Sequence, residues 1–175
     1  MQKNTEIAQL GNPVLRMTAT PIADVKSPDV TGVIAEMLDV LADSSGVGLA
    51  APQIGHSICA IVVASKPTKR YPDAPLMQPV VMINPSFQAL SDKQKKDWEG
   101  CLSISGIRAL VPRYQEIEVN YTDVNGDFNM IQLKDFIARI FQHEYDHLQG
   151  LVYLDRVENN RDIISEAEFF KLIAA

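Results

Sequence analysis

The sequence predicts an α+β protein in which mainly antiparallel sheets pack around a central C-terminal helix, with one amphipathic helix near the N-terminus. From residue 58 onwards, short β-rich apolar runs follow one another, and most connections between them are too short for a helical crossover. Residues 135–150 instead carry apolar side chains at helical spacing. A length of 175 residues fits a single domain, 1–175. The expected strands are Ile58–Ala64, Val80–Asn84, Ile107–Val111, Ile117–Thr122 and Phe128–Leu133.

Capping residues and periodicity predict the N-terminal helix. Ser27 is a candidate N-cap, and Pro28 suits the first helical position. Apolar residues then recur at helical spacing until the pattern ends near Ser44 or Gly46. This helix is expected to serve as scaffold.

Charge and hydropathy exclude several classes of partner. The net charge of -6 and the pI near 5.0 argue against an electrostatic contact with nucleic acid or anionic lipid. No apolar run approaches the ~20 residues of a membrane span, and residues 1–6 lack the apolar core of a signal peptide. We therefore expect a cytoplasmic protein that binds neither nucleic acid nor membrane directly.

A His-Glu-x-x-His motif lies in the predicted C-terminal helix, for which Asp135 is a candidate N-cap and Gly150 a candidate C-terminal cap. Residues four apart lie on one face of a helix, so His143 and His147 can bind one metal ion with Glu144 beside it. The motif predicts metal-assisted hydrolysis, and its alternative is a solvated helix face. Arg139 is expected to point outward, and Ile140 to give the site an apolar wall.

The third protein ligand has more than one candidate. Tyr153 occupies the position of the third histidine in metzincins, which excludes that class. Glu166 or Glu168 would suit a glutamate-ligand peptidase. Cys101 is the best remaining candidate, because a thiolate with two imidazoles suits Fe(II) or Zn(II).

Residues 46–53 form a run of small residues that ends in the carboxamide of Gln53. The run fits a Gly-x-Gly-x-x-Ala pattern, but it follows a helix and precedes a strand, which is the reverse of a dinucleotide-binding unit. Small residues permit close approach of another backbone, which could be a peptide substrate or the protein's own chain in a tight turn. The Gln53 amide could donate a hydrogen bond into that crevice.

Three segments together resemble the signature motifs of the peptide deformylases, in the right order and at suitable separations. They are Gly46-Val47-Gly48-Leu49-Ala50-Ala51-Pro52-Gln53, Glu99-Gly100-Cys101-Leu102-Ser103 and Gln142-His143-Glu144-Tyr145-Asp146-His147. The resemblance extends from residues 11–16 to about Asp155 and includes residues 108–112.

The resemblance implies a single catalytic domain with one metal ion, held by Cys101, His143 and His147. In bacterial members the ion is usually Fe2+, with Zn2+ or Ni2+ as substitutes. Glu144 would take a proton from the attacking water and deliver it to the departing amine. The Gln53 amide and the Leu102 backbone N–H would stabilise the oxyanion. The products would be formate and a free N-terminal methionine.

The resemblance also implies a peptide-binding site for N-formylmethionyl nascent chains. Gly48 and its neighbours would pair with the substrate backbone, Phe136 and Ile140 would line the methionine pocket, and Arg108 and Glu99 would tie its wall together. The implied substrate-binding residues are Val47, Gly48, Glu99, Gly100, Arg108, Phe136 and Ile140.

Two residues and the C-terminus depart from the family pattern. Ser105 replaces a common proline, and Asp135 stands where many members have glycine. Residues 165–173 are shorter and less basic than the tail that some relatives use at the ribosome, so contact with the ribosome stays open. Two other functional hypotheses remain: a glutamate-ligand metallopeptidase, and a relative that binds peptides without catalysis.

Overall fold

The computed structural model describes residues 5–68 and 71–174 and contains two antiparallel sheets and three α-helices within those ranges. The predicted α+β class with antiparallel sheets and a C-terminal helix is confirmed. Residues 1–4, which carry part of the signal-peptide argument, lie outside the described ranges. In chain order the elements are α1 (Pro28–Asp43), β1 (Gly48–Ala50), β2 (Ala60–Ser65), β3 (Met77–Ala89), β4 (Gln94–Cys101), β5 (Ile104–Tyr114), β6 (Glu116–Thr122), β7 (Phe128–Lys134), α2 (Asp135–Leu148), β8 (Ile163–Ser165) and α3 (Glu166–Ile173).

The larger sheet has five strands in the order β1-β2-β3-β6-β7, and each neighbouring pair is antiparallel. Strand β2 is buried on both faces: Ile61 and Val63 belong to the cluster that contains α2, whereas Ala60 and Val62 belong to the cluster that contains α1. Because successive side chains of a strand point to opposite faces, the two helices cover opposite sides of this sheet.

The β6–β7 hairpin is longer than the two-residue turn that Asn125-Gly126 favours. Thr122 pairs with Phe128, so residues 123–127 form the loop. Oδ1 of Asp123 accepts hydrogen bonds from the backbone N–H groups of Asn125 and Asp127, and this local bonding stabilises the wider turn.

Helix α1 begins after Ser27, whose Oγ accepts a hydrogen bond from the backbone N–H of Val30. Its buried face carries Ile34, Met37 and Leu41, which pack in the cluster that includes β1 and β2. The helix therefore supports β1, the strand that follows it.

Helix α2 lies between the two sheets. Its apolar face, with Ala138, Phe141 and Leu148, packs on the five-stranded sheet. Its polar face meets β4 and β5, where Arg139 Nη1 donates to the backbone carbonyl of Val111 and Arg139 Nη2 to that of Lys95. The expectation that Arg139 points outward is therefore wrong, since the residue is 7% exposed.

The ends of α2 also refine the sequence prediction. The prediction that Asp135 is the N-cap is wrong: the N-cap is Lys134, and Asp135 is the first helical residue, with φ 48. A positive φ favours glycine, and aspartate is one of the few other residues that adopt it, so Asp135 can occupy this position without a change of backbone. At the other end Gly150 has φ 71 and follows the C-cap Gln149, as a C-terminal glycine should.

The smaller sheet has three strands in the order β4-β5-β8. Strands β1, β4 and β8 and helix α3 were not among the predicted elements. Strands β1 and β8 have three residues each, and β4 is largely polar, so neither length nor apolar alternation identifies them from the sequence. No helix within the described ranges is long and apolar enough to cross a membrane.

Candidate metal centre and peptide-binding cavity

The two histidines of α2 and the last residue of β4 come together beside one cavity. One potential ligand atom from each of Cys101, His143 and His147 lies within 4.8 Å of the others. Cys101 Sγ is 3.3 Å from His147 Nε2. Neither rival glutamate belongs to this ligand group: Glu166 lines the cavity but accepts a hydrogen bond from Arg108, and Glu168 accepts one from Lys171. The glutamate-ligand peptidase therefore lacks its ligand here.

The orientation of His143 is set by Glu99. His143 Nδ1 lies 2.8 Å from Glu99 Oε2. Burial by itself raises the pKa of the Glu99 carboxyl, but the charge of Arg113 and hydrogen bonds from His143 and Arg113 hold that pKa well below its ordinary value. An ionised carboxylate can only accept, so Nδ1 carries the proton and Nε2 is the ring nitrogen available to a metal.

Glu99 belongs to a buried network of charges. Arg113 donates from Nε to Glu99 Oε1 at 2.9 Å and from Nη1 to Asp146 Oδ2 at 2.6 Å. Arg139 Nη1 adds a hydrogen bond to Glu99 Oε1 at 2.8 Å. Arg156 Nη2, on a half-exposed side chain, donates to Asp146 Oδ1 at 2.7 Å. A chain of charged groups therefore runs from the surface to His143.

The donor set fits a divalent transition metal. Two imidazoles and a thiolate suit Fe(II), Zn(II) or Ni(II). Burial is the main cause that holds the pKa of His147 well below its ordinary value, so this ring is in the neutral form that a metal requires. Tyr153, which rules out a metzincin, stacks on His143 with ring centroids 5.8 Å apart.

Glu144 lies between His143 and His147 in the sequence; its side chain is buried and lines the cavity. Burial is the main cause that raises the pKa of its carboxyl to about 7. Its Oε2 atom has no hydrogen-bond partner among the described residues. A Cβ built on Gly48 would overlap the Glu144 carboxylate, so only glycine lets β1 approach this closely.

The Gln53 amide has a fixed orientation. Gln53 lies in a short 3-10 helix after β1, and its Oε1 accepts a hydrogen bond from the backbone N–H of Ala50 at 2.8 Å. Its Nε2 therefore faces the site, where it donates to Ser103 Oγ at 3.2 Å and contacts Cys101 Sγ at 3.4 Å.

The cavity gathers most of the predicted site residues, whereas His147 lies behind them, fully buried. Tyr71 and Ile107 in the cavity wall were not predicted, and Glu166 was considered only as a metal ligand; none of the three carries a recognisable motif. The predicted residues that line the cavity are Val47, Gly48, Gln53, Glu99, Gly100, Cys101, Leu102, Arg108, Phe136, Ile140, His143 and Glu144.

One expectation about the cavity wall needs correction. Arg108 and Glu99 were expected to tie the wall together, but Arg108 Nη2 donates to Glu166 Oε1 at 2.6 Å, and Glu99 is held by Arg113 and Arg139. Arg113 itself was missed. A signal did exist in the sequence. Arg113 lies two residues after Val111 and so on the same, buried face of the strand, where an arginine needs a carboxylate partner.

An α+β fold that brings two histidines and a cysteine together beside a cavity lined by a buried glutamate defines a metal-dependent hydrolase. The sequence model of the family described as Polypeptide deformylase matches residues 4–162, and the chain belongs to this family. The resemblance found in the sequence motifs is thereby confirmed.

Individual relatives agree over nearly the whole chain. A peptide deformylase 2 from Nostoc sp. is 47% identical over 167 residues, which cover 95% of this chain and 93% of the relative. A class I type b peptide deformylase from Acinetobacter baumannii, solved with Met-Ala-Ser bound, has a TM-score of 0.86 at 36% identity and covers 90% of this chain and 100% of the other. A peptide deformylase from Synechococcus elongatus, solved in complex with actinonin, has a TM-score of 0.81 at 33% identity, covering 93% of this chain and 84% of the other.

Proposed function

We propose that the cavity beside α2 is where this chain, as a peptide deformylase, removes the N-formyl group from the methionine of newly made proteins. The observation that carries the proposal is the convergence of Cys101, His143 and His147 next to the buried Glu144. The family match over residues 4–162 supports the same reaction. We propose that residues 1–175 act as a single catalytic domain.

Cys101, His143 and His147 are the proposed ligands of one Fe2+ ion, with Zn2+ or Ni2+ as substitutes. A divalent ion bound there supplies Lewis-acid polarisation of the formyl oxygen and makes water a better nucleophile. The Glu99 carboxylate supports this assignment, because its hydrogen bond with His143 Nδ1 leaves Nε2 for the ion. We therefore revise the role of Glu99 from substrate binding to orientation of His143.

Glu144 is the proposed proton carrier. Its carboxylate is adjacent to the ligand group and lies against Gly48 of β1, so a formyl group seated at this point would be within its reach. Water adds to the formyl carbon and loses a proton to Glu144, the carbon–nitrogen bond then breaks, and the proton passes to the amine nitrogen. Formate and a free N-terminal methionine are the products.

Gln53 Nε2 and the Leu102 backbone N–H are the proposed oxyanion donors. The hydrogen bond from Ala50 to Gln53 Oε1 holds the amide nitrogen toward Cys101 before any substrate arrives. Preorganised donors of this kind are worth about 3 kcal/mol each in the transition state.

The peptide is proposed to bind along β1. This strand is at the end of the five-stranded sheet, so one of its edges is not paired within the sheet, and Val47 and Gly48 line the cavity. Phe136 and Ile140 are the proposed apolar wall for the methionine side chain, and Gly100 and Arg108 line the same cavity. The Acinetobacter baumannii relative was solved with Met-Ala-Ser bound, which supports a peptide ligand.

The partner is proposed to be the nascent chain itself. The net charge of -6 supports the prediction that the protein binds neither nucleic acid nor membrane directly. The cytoplasmic location stays a prediction, and contact with the ribosome is left open.

The test is release of formate from formyl-Met-Ala-Ser by protein reconstituted anaerobically with Fe2+, and in parallel with Zn2+ and Ni2+. Glu144→Ala should abolish turnover and keep the metal, whereas Cys101→Ala should lose the metal. A non-catalytic peptide binder would release no formate with any of the three ions, and that result would overturn the proposal.

A further inference from the structure

The C-terminal segment of the chain, outside the part matched by the family model, supplies a wall of the cavity. The match ends at residue 162, whereas β8 and α3 follow it. Glu166, the first residue of α3, lines the same cavity as Cys101 and Glu144.

This segment is fixed on the smaller sheet. Strand β8 pairs with β5, where Ile164 is opposite Arg108 and Ser165 is opposite Ile107. Helix α3 is held by Phe169, which is 2% exposed and packs against Trp98 with ring centroids 5.9 Å apart. The position of Glu166 is therefore set by both a strand pairing and a buried aromatic contact.

Glu166 forms an ion pair with Arg108 inside the cavity wall. Arg108 Nη2 donates to Glu166 Oε1 at 2.6 Å, and Arg108 Nη1 donates to the Tyr71 hydroxyl at 3.4 Å. The guanidinium lies so close to Gly100 that a Cβ there would overlap it. Arg108 Nε is buried and has no hydrogen-bond partner within the described ranges. The side chain of Arg108 is only 6% exposed, so water screens its charge weakly.

The charge of Glu166 decides what this wall attracts. A buried guanidinium without a counter-charge would attract carboxylates strongly. Glu166 offsets that attraction. Its side chain is the more exposed of the two, at 23% against 6% for Arg108, so its carboxylate is the charge that an approaching acidic side chain meets and is repelled by.

We propose that Glu166 is a specificity-determining residue that selects against acidic side chains at the two substrate positions after the formylmethionine. This inference rests on the proposed function, because it concerns peptides in the same cavity. It assigns a role in substrate choice to a residue beyond the family match.

The experiment compares wild type, Glu166→Gln and Glu168→Gln on isosteric substrates. The substrates are formyl-Met-Asp-Ser against formyl-Met-Asn-Ser, and formyl-Met-Ala-Asp against formyl-Met-Ala-Asn. Glu168 is the matched control, since it lies on the same helix but is exposed and pairs with Lys171. In Glu166→Gln the ratio of kcat/KM for the acidic peptide over its amide partner should rise about tenfold at one or both positions. Glu168→Gln should leave both ratios at the wild-type value.

Two results would overturn the inference. In the first, Glu166→Gln changes kcat/KM for all four peptides by one common factor, which is the signature of a purely structural role. In the second, wild type has equal kcat/KM for the Asp and Asn peptides at both positions. This comparison uses wild type alone, so it does not depend on whether a variant folds. Should wild type release no formate from any peptide, the proposed function fails. Calorimetry on the three proteins then compares the affinity for Met-Asp-Ser with that for Met-Asn-Ser, and the affinity for Met-Ala-Asp with that for Met-Ala-Asn. The ratio of affinities for the acidic peptide over its amide partner then decides the inference in the same way as the ratio of kcat/KM.

Discussion

Glu99 Oε2 accepts a hydrogen bond from His143 Nδ1 at 2.8 Å, and the same carboxylate is held by two arginines. Glu99→Gln would keep the shape but remove the negative charge that Arg113 and Arg139 share. Loss of one partner of a buried ion pair costs about 3–5 kcal/mol of folding stability, and loss of a residue that orients a ligand lowers metal affinity about 10–100-fold. Urea unfolding of the metal-free protein and chelator competition measure these two effects separately.

The control for this change is Glu118→Gln, because Glu118 lies partly exposed on β6 and, among the described residues, its side chain accepts a hydrogen bond from Gln88 across the strand pair. We expect no change in metal affinity and a stability change within about 0.5 kcal/mol. Equal metal affinity in Glu99→Gln and wild type would contradict the role assigned to Glu99.

Gly48→Ala should slow turnover while the metal stays bound. The added Cβ would overlap the Glu144 carboxylate, so either that side chain or β1 must move. A misplacement of about 1 Å at a reacting group costs on the order of 100-fold in rate. Steady-state formate release, together with metal content, is the measurement.

Gly32→Ala is the matched control on helix α1, where a Cβ would meet nothing within 4 Å. It should leave turnover unchanged and stabilise the fold by about 0.5–1 kcal/mol. If Gly48→Ala retained the wild-type rate, Glu144 would have to act without its close contact with β1.

Local sequence was enough for the parts of the site that lie within one element. The four-residue separation of His143 and His147 places both on one helix face, and the structure puts Glu144 at the cavity beside them. Such a relationship depends on helix geometry alone, so it can be predicted without knowledge of the packing.

The charged network needed tertiary structure. Arg139 was expected to be exposed because arginine usually is, yet its guanidinium supplies hydrogen bonds to Glu99 and to two strand carbonyls. Glu166 reaches the cavity only because β8 pairs with β5, and a three-residue strand leaves almost no pattern in the sequence. Partners from separate elements are determined by packing, which no local period encodes.

Acid should weaken the contact between the N-terminal segment and the loop after α2. Asp155 pairs with Arg16 and accepts a hydrogen bond from the backbone N–H of Val152. Partial burial raises the pKa of Asp155, but these hydrogen bonds and the charge of Arg16 lower it more, so the folded-state pKa lies below the unfolded value. The resulting stability is present above the unfolded pKa of about 3.9 and is lost as the pH falls through the folded pKa.

Asp155→Asn should therefore cost stability near pH 6 and cost progressively less as the pH falls below about 4. Urea unfolding of both proteins at pH 6 and pH 3 gives the difference directly. A difference that grows on acidification would show that Asp155 is not stabilised in its ionised form.

Gly150→Ala should destabilise the protein through both backbone conformation and steric overlap. Gly150 has φ 71 at the end of α2, and a Cβ there would lie 2.8 Å from the Arg16 carbonyl oxygen. A positive φ costs a non-glycine residue about 1–2 kcal/mol, and the overlap adds to this because both partners are backbone. Gly11→Ala separates the two effects, since Gly11 has φ 103 but a Cβ there meets nothing within 4 Å. Thermal unfolding should show a larger loss for Gly150→Ala, and equal losses would mean that the segment around Arg16 moves aside without cost.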